Sequence, residues 1–299
     1  MPGNRGGAPV EEVSPQVFFS PGLHLIPYRA MLDVPAELLR YLSRLLAAER
    51  RRRGTPARSR KLTCRDQALL ALRWFRDRTG PGRLAIDHGI SRATAYRYID
   101  EAVDVLSAQA PGLDEALQRA VADGAPYVIL DGKIFETDRL SETVTSAKGD
   151  EIDAWYSGKK HRPGANVQAV MLPGGLPAWT GPAEPGHVHD ITAARACALP
   201  ALYRAAAAGM PTLADGGYEG AGIGICVPVK NPPGNQRLDP DTKTRNSLLR
   251  GLRSQGERGF ALLTQRWTTL QRITASPRRT TQIVRAALVL TQFEHKYIS

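Results

Sequence analysis

At 299 residues and 42% hydrophobic, the chain is long enough for two ordinary domains with a sizeable core, and too apolar to be disordered throughout. No run of about 18 apolar residues occurs, and the start MPGNRGGAPVEEVSPQ lacks the apolar centre of a secretory leader, which argues against a membrane span and for a soluble, cytoplasmic protein. Forty Lys and Arg against 29 Asp and Glu leave a net charge of +11, which fits a polyanionic partner or else an arginine-rich soluble protein, while Cys64, Cys197 and Cys226 are too scattered for a disulfide framework or structural zinc.

Residues 1–16, rich in Gly, Pro and polar side chains, read as a disordered tail. Residues 34–54 carry Leu38, Leu39, Leu42, Leu45 and Leu46 at helical spacing and end on four arginines and Gly54, which predicts an amphipathic helix. The basic linker TPARSRK leads to a helix over 63–80, with Thr63 as N-cap, Gly80 as stop, and Leu69, Leu70, Leu72, Trp74 and Phe75 as its core side. Over 82–109 a short helix, a turn at Gly89 and a longer helix capped by Ser91 can be read, and another helix lies around 113–122. From PYVILDG onward the pattern changes. Strands are predicted at 127–131, 165–172, 176–180, 211–215 and 225–229, with an Ala-rich helix at 190–209 and helices from about 247 and over 280–294. A helical domain over 17–123 therefore precedes an α/β domain over 124–299.

The 82–109 segment resembles a DNA-binding helix-turn-helix, in which the second helix enters the major groove. Ser91, Arg92, Thr94, Ala95 and Arg97 would lie on or near its exposed start, and Ile90, Ala93, Tyr96 and Ile99 on its buried side. Arg92, Thr94 and Arg97 are the candidate DNA contacts. Arg51 and Arg52, within the run Arg50 to Arg53, would add phosphate affinity without sequence information. The competing reading is a plain helix pair inside a bundle.

Two apolar runs, YVILDG and PTLADGG, each deliver an aspartate at a strand end or edge, followed by glycine: Asp131 and Asp215. Asp before Gly is also ordinary turn chemistry. Carboxylates on neighbouring strands can share a divalent ion, and a two-metal phosphoryl-transfer site calls for a third acid. Glu257 is the candidate, on a helix that carries Phe260, Leu263 and Trp267, with Arg253 one turn before it. Lys159 and Lys160, in GKKHR before a strand, read as backbone contacts or as a solvated hairpin. Asp190, in GHVHD, has two readings: the cap of the helix beginning at Ile191, or a fourth acid at the metals.

The blocks LDGKIF at 130–135, WYSGKKHR at 155–162, GHVHD at 186–190, LADGGYEGAG at 213–222 and RSQGERGFALLTQRW at 253–267 together resemble the catalytic domain of DDE transposases from bacterial insertion sequences, nearest to the insertion-sequence-five and Harbinger-like group. The resemblance covers about 60–298. It implies an RNase H-like catalytic domain, a mixed sheet flanked by helices, behind an all-α helix-turn-helix domain. It also implies Asp131, Asp215 and Glu257 as ligands of two Mg²⁺ (or Mn²⁺) ions, with cleavage and strand transfer on double-stranded DNA at element ends and target, carried out by a homo-oligomer. Gly216 and Thr264 depart from the pattern, standing where the resemblance leads one to expect lysines. The rival readings are a domesticated or decayed DNA-binding protein without catalysis, and a metal-dependent endonuclease that cuts without joining.

Overall fold

The computed structural model describes residues 31–145, 149–234 and 236–298; the tail expected at 1–16 lies outside them. Five helices come first: α1 (Ala36–Arg52), α2 (Cys64–Asp77), α3 (Pro81–Asp87), α4 (Arg92–Ser107) and α5 (Leu113–Ala122). Leu38, Leu42 and Leu46 line the buried side of α1, one helical turn apart. Thr63 caps α2, its hydroxyl accepting the N–H of Asp66 at 3.1 Å. That helix stops earlier than the sequence suggests, because Arg78 takes the left-handed conformation at φ 54° and Gly80 instead precedes α3. Between α3 and α4 the chain turns at Gly89, φ 61°, a conformation glycine adopts without penalty. Ser91 then caps α4 by accepting the N–H of Thr94 at 3.2 Å.

The buried side of α4 is Ala95, Tyr98, Ile99, Ala102 and Val103. This corrects the predicted phase: Ala93 and Tyr96 face solvent and Ala95 lies in the core, so Arg92, Tyr96 and Arg97 share the exposed surface.

The sheet is built on β1 (Val128–Glu136). A side excursion follows, in which β2 (Thr143–Thr145) pairs only with β3 (Glu151–Asp153). Next come β4 (Tyr156–Ser157), β5 (Arg162–Met171) and β6 (Pro177–Pro185), and β5 is antiparallel to β4, to β6 and to β1. After α6 (Asp190–Cys197) and α7 (Leu199–Ala207), β7 (Thr212–Leu213) joins β1 in parallel and β8 (Ile225–Cys226) joins β7 in parallel. The chain closes with α8 (Pro240–Arg266) and α9 (Thr280–Glu294). This mixed sheet flanked by helices is consistent with an RNase H-like domain.

Three expectations change. β1 runs five residues beyond 131, so Asp131 sits within a strand and not at its end. The helix expected over 190–209 breaks at Ala198, just before Pro200, whose missing N–H cannot continue a helical ladder. Asp239 caps α8 by accepting the N–H of Thr242 at 2.8 Å, which starts that helix well before 247.

Alternation along β1 sends its residues to two cores. Val128 and Leu130 pack with α5, α6 and α7. Ile129 and Phe135 pack with α8 and α9, and that same cluster takes in Leu38, Leu42, Phe75, Tyr98 and Leu106 of the N-terminal helices. The two predicted domains thus meet across one continuous apolar core. Trp267, fully buried after α8, stands edge-on to Phe75 with ring centroids 6.4 Å apart, and Thr269 Oγ1 donates to the Trp74 carbonyl at 2.7 Å. Among the described residues no helix is long and apolar enough to cross a membrane.

Candidate active site

Parallel pairing fixes the two aspartates. Val128 is in register with Thr212 and Ile129 with Leu213, so two residues further along, Asp131 and Asp215 come level. Both share the sheet face of Ile129 and Leu213, against which α8 packs. On α8 it is Gly256 that meets β1 here: a Cβ on it would lie 3.0 Å from Ile129 Cγ2 and 3.8 Å from Asp131 Cβ. The absence of a side chain lets the helix lie close beside the carboxylate.

Asp131 is largely buried, and burial pushes its carboxyl up to about 6 from an ordinary 3.8. The Gly132 N–H, donating to Oδ1 at 3.0 Å, and Arg253 pull the other way, while Asp215 and Asp190 add to the rise. Asp215 also does what Asp before Gly does in a turn: its Oδ1 accepts the Gly217 N–H at 2.8 Å and caps the single turn Gly216–Tyr218. The turn reading and the site reading hold for the same side chain.

Asp190 arrives from the opposite face of the sheet. It is the first residue of α6 and makes no capping bond; His189 occupies the cap position. Its Oδ1 instead accepts Asn166 Nδ2 at 2.8 Å and Gln168 Nε2 at 3.4 Å, both from β5, and Tyr218 donates to Gln168 Oε1 at 2.6 Å. Gly132 makes the approach possible. A Cβ there would press on Asp190 Oδ1 and stand 2.6 Å from Gln168 Nε2, so any larger residue would drive Asp190 off the strand. The neighbouring carboxylates and burial together raise the Tyr218 hydroxyl far above its ordinary value, burial being the larger cause.

Cations surround this group. Lys159 Nζ lies 3.2 Å from Asp190 Oδ2, and Asp215 and Asp131 also act on its charge. Lys133, two residues after Asp131 and therefore on the same face, holds its ammonium 5.7 Å from the Phe260 ring centroid, and burial, then Lys160, lowers its pKa. Period-two alternation along LDGKIF would have flagged Lys133, which the sequence reading passed over. Beyond Asp215 an open cleft of about 260 Å³ is lined by Lys230, Asn231, Arg250 and Arg253.

Glu257 lies on the exposed flank of α8, next to Gly256 and four residues after Arg253, with which it shares a helix face. Asp215 and Asp190 both act on the charge of Asp131. Three carboxylates offer hard oxygen donors of the kind a divalent cation takes, and a cation would relieve the charge crowding at Asp131. Among the described residues, however, no three side chains converge as a ready metal-holding group.

The remaining candidates lie on the helical region. Arg92 and Arg97 are exposed on α4, Arg92 with its guanidinium 5.7 Å from the Tyr96 ring centroid and Arg97 donating to Thr94 Oγ1 at 3.2 Å. In the basic run, Arg52 forms a two-point fork with Glu49, both bonds 2.7 Å, and Arg53 pairs with Glu49 and Glu101. Arg50 donates to the Leu62 carbonyl and to Gln67, and Arg60 to the buried Glu101 at 3.2 Å. Arg50, Arg53 and Arg60 therefore tie α1, α2 and α4 together, a role the charge run alone did not reveal, while the Arg52 fork stays within α1 and Arg51 is exposed.

No curated protein and no solved structure matches the chain significantly. Residues 130–292, more than half of the 299, match the family model described as DDE superfamily endonuclease. That span begins at the strand carrying Asp131 and ends in α9, so it encloses the carboxylates, the cationic turn and the cleft; the chain belongs to the DDE superfamily endonucleases.

Proposed function

We propose that this chain is a transposase of the insertion-sequence-five and Harbinger-like group, which binds the ends of its element and cuts and joins DNA by in-line phosphoryl transfer. The observation that carries the reading is the pair Asp131 and Asp215, level on adjacent parallel strands beside a cationic cleft, within a span matching the DDE endonuclease family. Asp131, Asp215 and Glu257 would hold two Mg²⁺ or Mn²⁺ ions, with Asp190 as a further acid. Glu257 shares the flank of α8 with Arg253, which lines the same cleft as Asp215. Bound there, the ions supply activation of the attacking oxygen and stabilisation of the leaving 3′-oxygen.

The chain's own side chains do the rest. Arg253, Arg250 and Lys230 seat strand phosphates along the cleft, and Lys159 and Lys160 do so from the turn between β4 and β5. α3 and α4 act as a helix-turn-helix, with Arg92, Thr94 and Arg97 directed at base edges of the terminal repeats. Cutting and joining two ends calls for at least two protomers.

Asp131→Asn, Asp215→Asn and Glu257→Gln remove a charge at nearly constant volume. Each should abolish Mg²⁺-dependent nicking of element-end DNA while leaving DNA binding intact. Strong nicking by one variant would take that residue out of the site. A pre-cut end that is never joined to target by the native chain would leave an endonuclease and remove the transposase reading.

A further inference from the structure

We propose that α8 carries a second DNA-backbone site, in a cationic groove between the end of α2 and the last turns of α8, separate from the cleft beside Asp215. The inference rests on reading DNA as the partner of this chain, and it adds where the strand runs beyond that cleft.

The groove holds about 440 Å³ and is lined by Arg76 from α2 and by Arg258, Ala261, Leu262, Gln265 and Arg266 from α8. Two of its three arginines are fixed in place. Arg266 grips Glu294 through Nε and Nη2 at 2.8 and 2.6 Å, and its Nη1 donates to Asp33 Oδ2 at 2.7 Å. Arg76 donates to the same Oδ2 at 2.8 Å and to the Arg266 carbonyl at 3.3 Å. Asp33 thus shows what this wall takes: one anionic oxygen seated between two guanidinium groups, as a phosphate oxygen would be. Arg258 differs from both. It is exposed and makes no ion pair or hydrogen bond among the described residues, so its charge is free for an external anion.

α8 also joins this groove to the first cleft. Arg250 lines that cleft and, like Arg258, is exposed and unpaired among the described residues. At 1.5 Å per residue the two arginines stand roughly 12 Å apart along the helix axis, which matches three to four nucleotide steps of one strand. No single small anion spans that distance, whereas a strand of regularly spaced phosphates meets both cations at once. The net charge of +11 favours such a polyanion. Ser254, exposed, lies between the two arginines on the same ridge, and Glu257 falls to the Arg253 side of it. Past Arg258, Ala261 and Leu262 give the groove a low floor on which a sugar edge can rest.

The test is binding of the full chain to a long random-sequence duplex, followed by fluorescence anisotropy over a range of salt. Arg258→Gln removes the free charge, Arg258→Lys restores it, and Gln265→Glu sets an opposing charge in the groove at nearly constant volume. Arg258→Gln should weaken binding and flatten the slope of log affinity against log salt by about one, the release of one phosphate's counterions. Gln265→Glu should also weaken binding, and Arg258→Lys should keep the native slope. Melting should be unchanged in all three, as for other exposed substitutions. Arg195→Gln removes the same charge from an exposed site on α6, which packs on the other face of the sheet, and should leave the slope as it was. A native slope in Arg258→Gln, or an equal loss in Arg195→Gln, would overturn the proposal and leave DNA binding by the rest of the chain in place. A native chain that binds no DNA would overturn both readings.

Discussion

Asp131→Asn should stabilise the metal-free chain at alkaline pH while removing its activity. The carboxyl titrates at about 6 in the fold against an ordinary 3.8, chiefly because β1 and α8 bury it. Below 3.8 it is neutral in both folded and unfolded chains, and any stability it lends is fully present. As pH rises through about 6 that contribution is lost, because folding must then desolvate a charge. A rise of roughly two pH units at about 1.4 kcal/mol each puts the cost near 3 kcal/mol, an upper bound for a partly solvated group. Asparagine keeps the volume and an oxygen to accept the Gly132 N–H, now at 3.0 Å, so it escapes the cost without leaving that donor unpaired. Urea unfolding in a chelator should show the variant about 1–3 kcal/mol more stable than the native chain at pH 8, the gap closing toward pH 4. Added Mg²⁺ should raise the native chain and leave the variant where it was. A variant less stable than the native chain at pH 8, or a gap that does not change with pH, would refute the reasoning.

Gly132→Ala should cost about 1–3 kcal/mol of stability and weaken Mn²⁺ binding, since its Cβ would displace Asp190 or Gln168; thermal melting and metal titration check it. Arg92→Ala or Arg97→Ala should weaken binding to element ends more than to random DNA, by about 1–3 kcal/mol for a two-point base contact, and equal losses on both DNAs would reduce α4 to a phosphate clamp. Arg51→Ala should flatten the salt dependence of binding to random DNA more than Arg52→Ala does, because Arg52 is already held in its fork with Glu49; titrations over a range of salt decide it.

The two strand aspartates were legible because local pattern was enough: an apolar run, an acid and a glycine mark them without knowledge of any partner. Asp190 reads from sequence as a helix cap or a fourth acid, but sequence could not choose between the two, since its partners Asn166 and Gln168 are brought beneath α6 only by the β1–β5 register. The phase of α4 was misread for a related reason. Ala93 with Tyr96 and Ala95 with Tyr98 offer nearly equivalent faces in sequence, and what selects the second is the packing of α9 and α2 against it. The arginine tract shows the limit of charge counting, which sees Arg50 to Arg53 but not the Glu49 and Glu101 that pair with Arg52 and Arg53.

The shared core has a consequence for how recognition and chemistry could be joined. α4 packs along α9, and Arg279, just before α9, reaches Asp104 on α4 at 2.9 Å. α9 in turn lies against β6, where Gln292 Nε2 donates to the Pro177 and Ala178 carbonyls at 3.1 and 3.0 Å. β6 is paired through β5 to β1, the strand of Asp131. From Arg92 to Asp131 the path therefore runs through packed helices and strands, with no flexible connector along it. If α4 reads a base sequence, the carboxylates are carried at a fixed offset from that sequence. The position of the cut relative to the recognised bases then becomes a property of the fold itself.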